Sequence, residues 1–337
     1  MNSAAWQHLF GWRNALDHPV TVHCTLGILA ALAFTPLLVQ TLFRFNLIAP
    51  KLREELWLRW KSWLWLSAVM LGPILMGAGW VMLAVAVLSW LCFQEFTRAT
   101  GLFREHSIML IGLIGIFAVL FANADHYDRM FFSLAALTSG VIAVIALPAN
   151  RPQGYLQRVS LGIAGFLLFG YSLGYLGLMA NDSLYRPLLI LVILSVELND
   201  IFAYCTGKLF GQRKLLPNIS PGKTIAGSIG AVILTMALVF FIGKALFAGT
   251  PMAETFALIK LGLLISVLGQ LGDLILSAIK RDIGIKDLGA SIAGHGGWLD
   301  RFDSLVLVPA AVYHYLSYHL GPLGQDQAAR LFTGGGP

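Results

Sequence analysis

About ten apolar runs, each close to the roughly 20 residues that cross a bilayer as a helix, follow one another along this chain without a long polar insert. They cover approximately residues 21–43, 62–77, 78–96, 107–123, 130–148, 159–180, 186–206, 225–247, 256–279 and 304–320. In hydrocarbon every backbone N–H and C=O must be satisfied internally, and a single apolar run does this only as a helix. The runs therefore predict an all-α, polytopic integral membrane protein with about ten transmembrane helices. Composition agrees: 12% of the residues are charged, where a soluble domain carries about 25%. The second and third runs form one continuous apolar stretch, divided here near Gly72-Pro73 and Gly77-Gly79 because of its length.

The net charge of +6 would suggest a nucleic-acid partner in a soluble protein. Here topology accounts for it, and no nucleic acid is expected. Most of the Lys and Arg residues fall in alternate loops: Arg44 to Lys61, Arg98 and Arg104, Arg151 and Arg158, Lys208 to Lys223, and Lys280 to Arg301. Basic loops face the cytoplasm, so both termini are expected on the other side. No secretory signal is evident in residues 1–20, where Trp6, Leu9, Phe10 and Trp12 suit a short interfacial helix. Cys24, Cys92 and Cys205 have neither metal-ligand nor disulfide spacing and read as small buried hydrophobes.

Two loops on the basic side, 207–224 and 280–303, hold the chemistry-bearing residues. Asp273, Ser277, Lys280 and Arg281 recur at helical spacing and share a face. Asp273 sits in an otherwise apolar run, where a carboxylate is expensive unless it has a cavity or a partner. It reads as a metal ligand or, more plainly, as an ion pair with Lys280. Asp300 and Asp303 stand three apart before the last run. Three carboxylates near one surface suit a hard cation such as Mg2+. Lys280, Arg281, Lys286 and Arg301 suit phosphate oxygens. The turn His295-Gly296-Gly297 would let backbone approach a ligand closely. Upstream, Glu197, Asn199 and Asp200 are polar groups at the end of a run, followed by Tyr204. Ser220-Pro221-Gly222-Lys223-Thr224 leads into the next helix, whose N-terminus could bind phosphate. No glycine lies five residues before Lys223, so this is not a P-loop.

Ser277, Lys280-Arg281, Lys286-Asp287, His295-Gly296-Gly297, Asp300-Arg301 and Asp303 together resemble the signature of the phosphatidate cytidylyltransferase (CDP-diacylglycerol synthase) family. Asn199-Asp200, Ala203-Tyr204 and Gly207 match it too, and a weaker likeness reaches back to about Arg59 and includes Glu95. The likeness covers roughly 59–316. It divides the chain into an N-terminal extension with one extra transmembrane helix (1–58), a cytidylyltransferase-like membrane domain (59–320) and a flexible tail (321–337). The family typically has lysine, glutamate and proline where this chain has Gly222, Ala226 and Ala293, which suggests a divergent paralogue.

The resemblance implies transfer of a cytidylyl group from CTP to phosphatidate, giving CDP-diacylglycerol and pyrophosphate, with membrane lipid around the protein and a homodimer allowed. Its implied cofactor is Mg2+, with a second, monovalent cation as an option. Asp273, Asp300 and Asp303 would hold the metal. Ser277, Lys280, Arg281, Asp287, Asp300 and Asp303 would form the catalytic set. Asn199, Asp200, Tyr204, Ser220, Lys223, Thr224, Lys286, His295 and Arg301 would bind substrates. The expected location is a bacterial inner membrane, with the site facing the cytoplasm. Two other classes compete: a CTP-dependent lipid kinase acting on a polyprenol-type alcohol, and a non-catalytic membrane scaffold or transporter paralogue. A transporter would place its charges near the bilayer midplane, whereas these cluster on one side.

Overall fold

The computed structural model describes residues 3–46, 49–289, 291, 296–324 and 330–334. Ala293 and His295, singled out above, lie outside the described residues. A short helix α1 (Ser3–Phe10) precedes the long ones. These are α2 (Pro19–Arg44), α3 (Pro50–Met76), α4 (Ala78–Ala99), α5 (His106–Ala124) and α6 (Asp128–Ile145). Then α7 (Tyr155–Gly165) runs through a wide π-type segment, Phe166–Tyr171, into α8 (Ser172–Met179). The set is completed by α9 (Tyr185–Phe210), α10 (Ile225–Leu246), α11 (Thr255–Asp282) and α12 (Val308–Leu320).

Every run expected from the sequence is helical. Among the described residues, eight rods are long and apolar enough to cross a membrane, with α7 and α8 counted as one. The two that fall short do so for different reasons. The first half of α3 carries Lys51, Arg53, Glu54, Glu55, Arg59 and Lys61. α12 has 13 residues, because the chain before it folds back as a loop and a 3-10 turn at Asp303–Leu305. Among the described residues the sheet structure is a hairpin of β1 (Lys214–Leu216) and β2 (Ser220–Thr224), antiparallel, with Lys214 opposite Thr224.

Local chemistry sets the helix limits. Prolines open α2 and α3, where the missing N–H costs nothing. Thr224 caps α10, its Oγ1 accepting the Gly227 N–H at 3.1 Å. Gly77 breaks α3 from α4 at φ 142°, and a Cβ there would lie 2.4 Å from the Leu9 carbonyl oxygen of the docked α1 segment. On α10 the buried residues Gly227, Ala231, Thr235, Val239 and Gly243 recur every four positions. This stripe of small side chains lets α10 lie close against α9 and α11. Its other face, with Ile229, Ile233 and Phe241, is exposed and apolar, as a lipid-facing surface should be.

Successive long helices alternate in direction. One end of the bundle therefore collects the C-termini of α9 and α11, the hairpin, the N-terminus of α10 and the basic loops. The other collects α1, the 124–128 and 180–184 turns, and the chain after α12.

Candidate active site

A cavity of about 720 Å³ opens at the basic end, bounded by α9, the hairpin, α10, α11 and residues 287–303. Its wall brings together Asp200, Tyr204, Lys223, Thr224, Asp273, Lys280, Asp287, Asp300, Arg301 and Asp303. These come from five separate stretches of sequence. Lys208, Lys214, Ser228 and Gln270 also reach it, which sequence reasoning did not single out.

Three carboxylates, of Asp200, Asp273 and Asp303, converge at the wall. Asp273, on α11, accepts a hydrogen bond from Ser277 Oγ at 3.1 Å and pairs with Lys223 Nζ at 2.6 Å. Its partner is thus the hairpin lysine, not Lys280 as the plain reading expected. Asp200, on α9, accepts from Ser304 Oγ at 2.8 Å. Asp303 is buried. Burial, with the carboxylates of Asp273 and Asp200 nearby, pushes its carboxyl well above the usual range. Arg301 lines the same cavity.

Asp300 has a different position. Its Oδ1 accepts from Lys280 Nζ at 3.0 Å, and its Oδ2 accepts the backbone N–H groups of Leu288 at 2.9 Å and Gly297 at 3.1 Å. Both oxygens are committed to folding the loop. Among the described residues no group of three acidic, His or Cys side chains is arranged to hold a metal ion. The expected trio of Asp273, Asp300 and Asp303 is therefore not a ready-made cluster. Asp273, Asp303 and Asp200 crowd one wall, and that crowding favours an added positive charge there.

The sequence reading gave Glu95 no role, yet it organises the loop. This buried α4 carboxylate accepts from Ser291 Oγ at 2.7 Å, Trp298 N at 3.1 Å and Leu299 N at 2.9 Å. A Cβ on Gly297 would lie 2.3 Å from Glu95 Oε2, and one on Gly296, at φ +79°, would lie 3.0 Å from Asp300 Oδ2. The two glycines thus let backbone approach the protein's own carboxylates. The signal for Glu95 was available: an acidic residue inside an apolar run needs a partner.

Several expected residues stand elsewhere. Asn199 is fully buried, and its Oδ1 accepts from Thr235 Oγ1 at 3.0 Å and Ser266 Oγ at 2.5 Å, so it joins three helices and does not face the cavity. Arg281 is exposed and donates to the carbonyls of Ile219 at 3.3 Å and Ile285 at 3.4 Å, tying the hairpin to the turn after α11. Ser220 and Lys286 lie outside the cavity wall, and Ser277 reaches it only through Asp273.

An acid-and-base-lined cavity at one end of an apolar bundle defines a membrane enzyme that handles phosphate groups. The chain belongs to the cytidylyltransferase family, whose model matches residues 57–319, and is thereby a membrane nucleotidyltransferase. It is 33% identical over 270 residues to uncharacterized protein YnbB of Escherichia coli (strain K12), covering 78% of this chain and 88% of that one. It is 32% identical over 253 residues to the phosphatidate cytidylyltransferase of Staphylococcus haemolyticus (strain JCSC1435), covering 71% and 91%. The same identity over 252 residues relates it to the phosphatidate cytidylyltransferase of Staphylococcus aureus (strain COL), covering 70% and 90%. The resemblance read from residues 272–303 is thus shown, and the likeness to YnbB accords with a divergent branch. Helices α1 and α2 lie outside the matched residues.

Proposed function

We propose that this protein transfers a cytidylyl group from CTP to phosphatidate, giving CDP-diacylglycerol and pyrophosphate, on the cytoplasmic face of a bacterial inner membrane. The observation that carries the reading is the single cavity in which Asp200, Asp273 and Asp303 face Lys223, Lys280 and Arg301 at the mouth of an apolar bundle. The substrate demands just this mixture. A phosphate monoester has a second pKa of about 6, so the lipid phosphate is already a nucleophile at neutral pH and needs no general base. Its oxygen attacks the α-phosphorus of CTP, the bond to the β-phosphate breaks, and pyrophosphate leaves with the electron pair. The obstacle is the repulsion of two polyanions, so catalysis is positioning and charge neutralisation.

Asp273 and Asp303, with Asp200 beside them, would hold Mg2+, which when bound neutralises phosphate charge. Lys223 is held by Asp273 at the cavity wall and is placed to meet nucleotide phosphates. Arg301 is the fork-shaped donor for the lipid phosphate or the leaving group. Lys280 and Asp300, already paired to each other, act by fixing the loop that presents Arg301 and Asp303. Thr224 and the N-terminus of α10 supply a dipole that favours anions.

The test is CTP- and Mg2+-dependent pyrophosphate release by the purified protein in detergent, with and without phosphatidate. Pyrophosphate and CDP-lipid appearing together, only with phosphatidate, is the expected result. Release of CDP with a phosphorylated alcohol would replace this reading with the lipid kinase.

A further inference from the structure

A groove of about 410 Å³ lies between α2, α3 and α9, away from the polar cavity. Its walls include Ala31 and Leu32 on α2, Trp63 on α3, and Ile190, Leu194 and Ile201 on α9. Three features distinguish it from an accidental crevice. Its lining runs from Ile201 to Ile190 on α9, a rise of about 16 Å, and from Leu56 to Ile74 on α3, a rise of about 27 Å. That is most of the roughly 30 Å hydrocarbon thickness, ample length for an extended acyl chain. Its size falls in the range of small-ligand pockets. Its lining is largely apolar, with the hydroxyls of Thr35 and Ser67 along it and its charged groups toward the mouth nearer the basic end. Arg59 lies at that mouth, and Glu197 opens into the groove with no hydrogen bond or ion pair among the described residues. A carboxyl within the membrane region that makes no direct hydrogen bond or ion pair marks a place where a polar group of a ligand arrives. A long, largely apolar groove with charged groups toward the mouth nearer the basic end has the profile of a seat for a lipid acyl chain.

Glu197 is one helical turn from Asp200, which lines the cavity, so the groove and the site share α9 as a common wall. Arg301 sits close enough to Glu197 and Asp200 to attract both electrostatically. The α2 side of the groove lies outside the residues that match the family. Trp60 Nε1 holds that helix in place by donating to the Leu32 carbonyl at 2.8 Å.

We propose that this groove seats an acyl chain of the lipid substrate, and that α2 is a wall that selects chain length. The proposal rests on the cytidylyl-transfer reading for the identity of the lipid, but not for the groove itself. Two experiments separate the two. First, a phosphatidate carrying a diazirine on its acyl chain is photolysed with the protein in phosphatidylcholine vesicles, without nucleotide, and the labelled residues are mapped by mass spectrometry. Labelling on α2 and α9 at or beside Ala31 and Leu194, reduced by excess unlabelled phosphatidate, is expected. Labelling spread over the outer faces of α5, α6 and α10, or indifferent to the competitor, would overturn the proposal.

Second, Ile28→Trp fills the groove at its α2 wall. A pocket that loses room for several methylenes discriminates by roughly tenfold or more, so turnover of 16-carbon phosphatidate should fall that far while the 8-carbon form is nearly unaffected. Equal loss for both chain lengths, or none, would also overturn it. Groove labelling by a wild-type protein that makes no CDP-lipid would leave the groove standing and remove the activity. CDP-lipid synthesis with labelling elsewhere would do the reverse.

Discussion

The two ends of the bundle are built from the same residue types and use them in opposite ways. At the far end lies a cavity of about 740 Å³, nearly the size of the candidate site, with Arg13, Asp17 and Arg186 in its wall. The polar groups there and nearby are largely taken up by the chain's own backbone. Arg186 donates to the Gly11 carbonyl at 2.6 Å, His8 Nε2 bonds the Ala180 carbonyl at 2.9 Å, and Asp182 accepts the Gly324 N–H at 3.3 Å. Asp125 receives Thr333 Oγ1 and the N–H groups of Phe332 and Thr333, and Arg330 stacks over Tyr127 at 4.8 Å. These contacts dock the N-terminal segment and the last described residues. At the basic end, Asp300 and Glu95 are used up in the same manner, but Asp200, Asp303 and Arg301 also line the cavity, and Asp273 pairs there with the Lys223 side chain and not with backbone. The two ends differ in how densely charged side chains of both signs line the cavity, and a cavity alone does not reveal a functional end.

The sharpest way to break this contrast is Asp273→Asn. Removing one group that faces phosphate charge should lower cytidylyl transfer about a thousandfold, with the melting temperature little changed. A variant of near-normal activity would sink the cation assignment. Glu95→Gln comes next. It keeps the size of the side chain but cannot accept all three loop hydrogen bonds, so kcat should fall about 10- to 100-fold, the usual effect of disturbing groups behind a site. An unchanged kcat would show that the loop holds without Glu95.

Asp125→Asn tests the other end. Burial alone would raise this carboxyl, but the hydrogen bonds from Thr333 and Phe332, with Arg330 nearby, outweigh it and hold it below the usual value. The ionised form therefore stabilises the fold above the ordinary carboxylate range, and that contribution disappears as pH falls through the folded value. The variant should lose about 1–3 kcal/mol at pH 7, with normal activity once folded. Its melting curves should approach those of the wild type in acid, and a gap that persists there would contradict the assignment. The smallest effect is expected from Gly222→Lys. Nothing lies within 4 Å of the place of a Cβ at Gly222, which lines the cavity, so a lysine fits and adds charge at its mouth. KM for CTP should fall by roughly threefold, in keeping with about 0.5–1 kcal/mol for an exposed charge; a rise would show that the open space itself is used.

The lipid-soluble part of the fold was legible because the bilayer imposes one rule on every run. The stretch from Asp273 to Asp303 was legible because helical spacing places Asp273 over Ser277, as the 3.1 Å hydrogen bond bears out. What could not be read were partnerships across long sequence separations. Lys223 reaches Asp273 from another helix's entry, and Glu95 reaches Leu299 from the first half of the chain. Periodicity also could not tell that Asn199 turns toward α10 and α11 while its neighbour Asp200 faces the cavity. The hairpin escaped notice because its strands are three and five residues long, too short for alternation to register.

The wide segment at Phe166–Tyr171 gives the rod formed by α7 and α8 a change of phase. An α-helix turns about 100° per residue, so one extra residue looped into a single turn rotates everything beyond it by that amount while the axis continues. Here it turns Ser172 toward the Val306 carbonyl and Tyr175 toward His314 Nε2 at 3.0 Å, just behind the chain that carries Asp303. Segments of this kind arise when a single residue is inserted into an existing helix. Shortening the segment by one residue would therefore restore an ordinary α-helical turn and leave Ser172 and Tyr175 facing the chain that carries Asp303, so the rod should absorb that deletion without disturbing the catalytic loop.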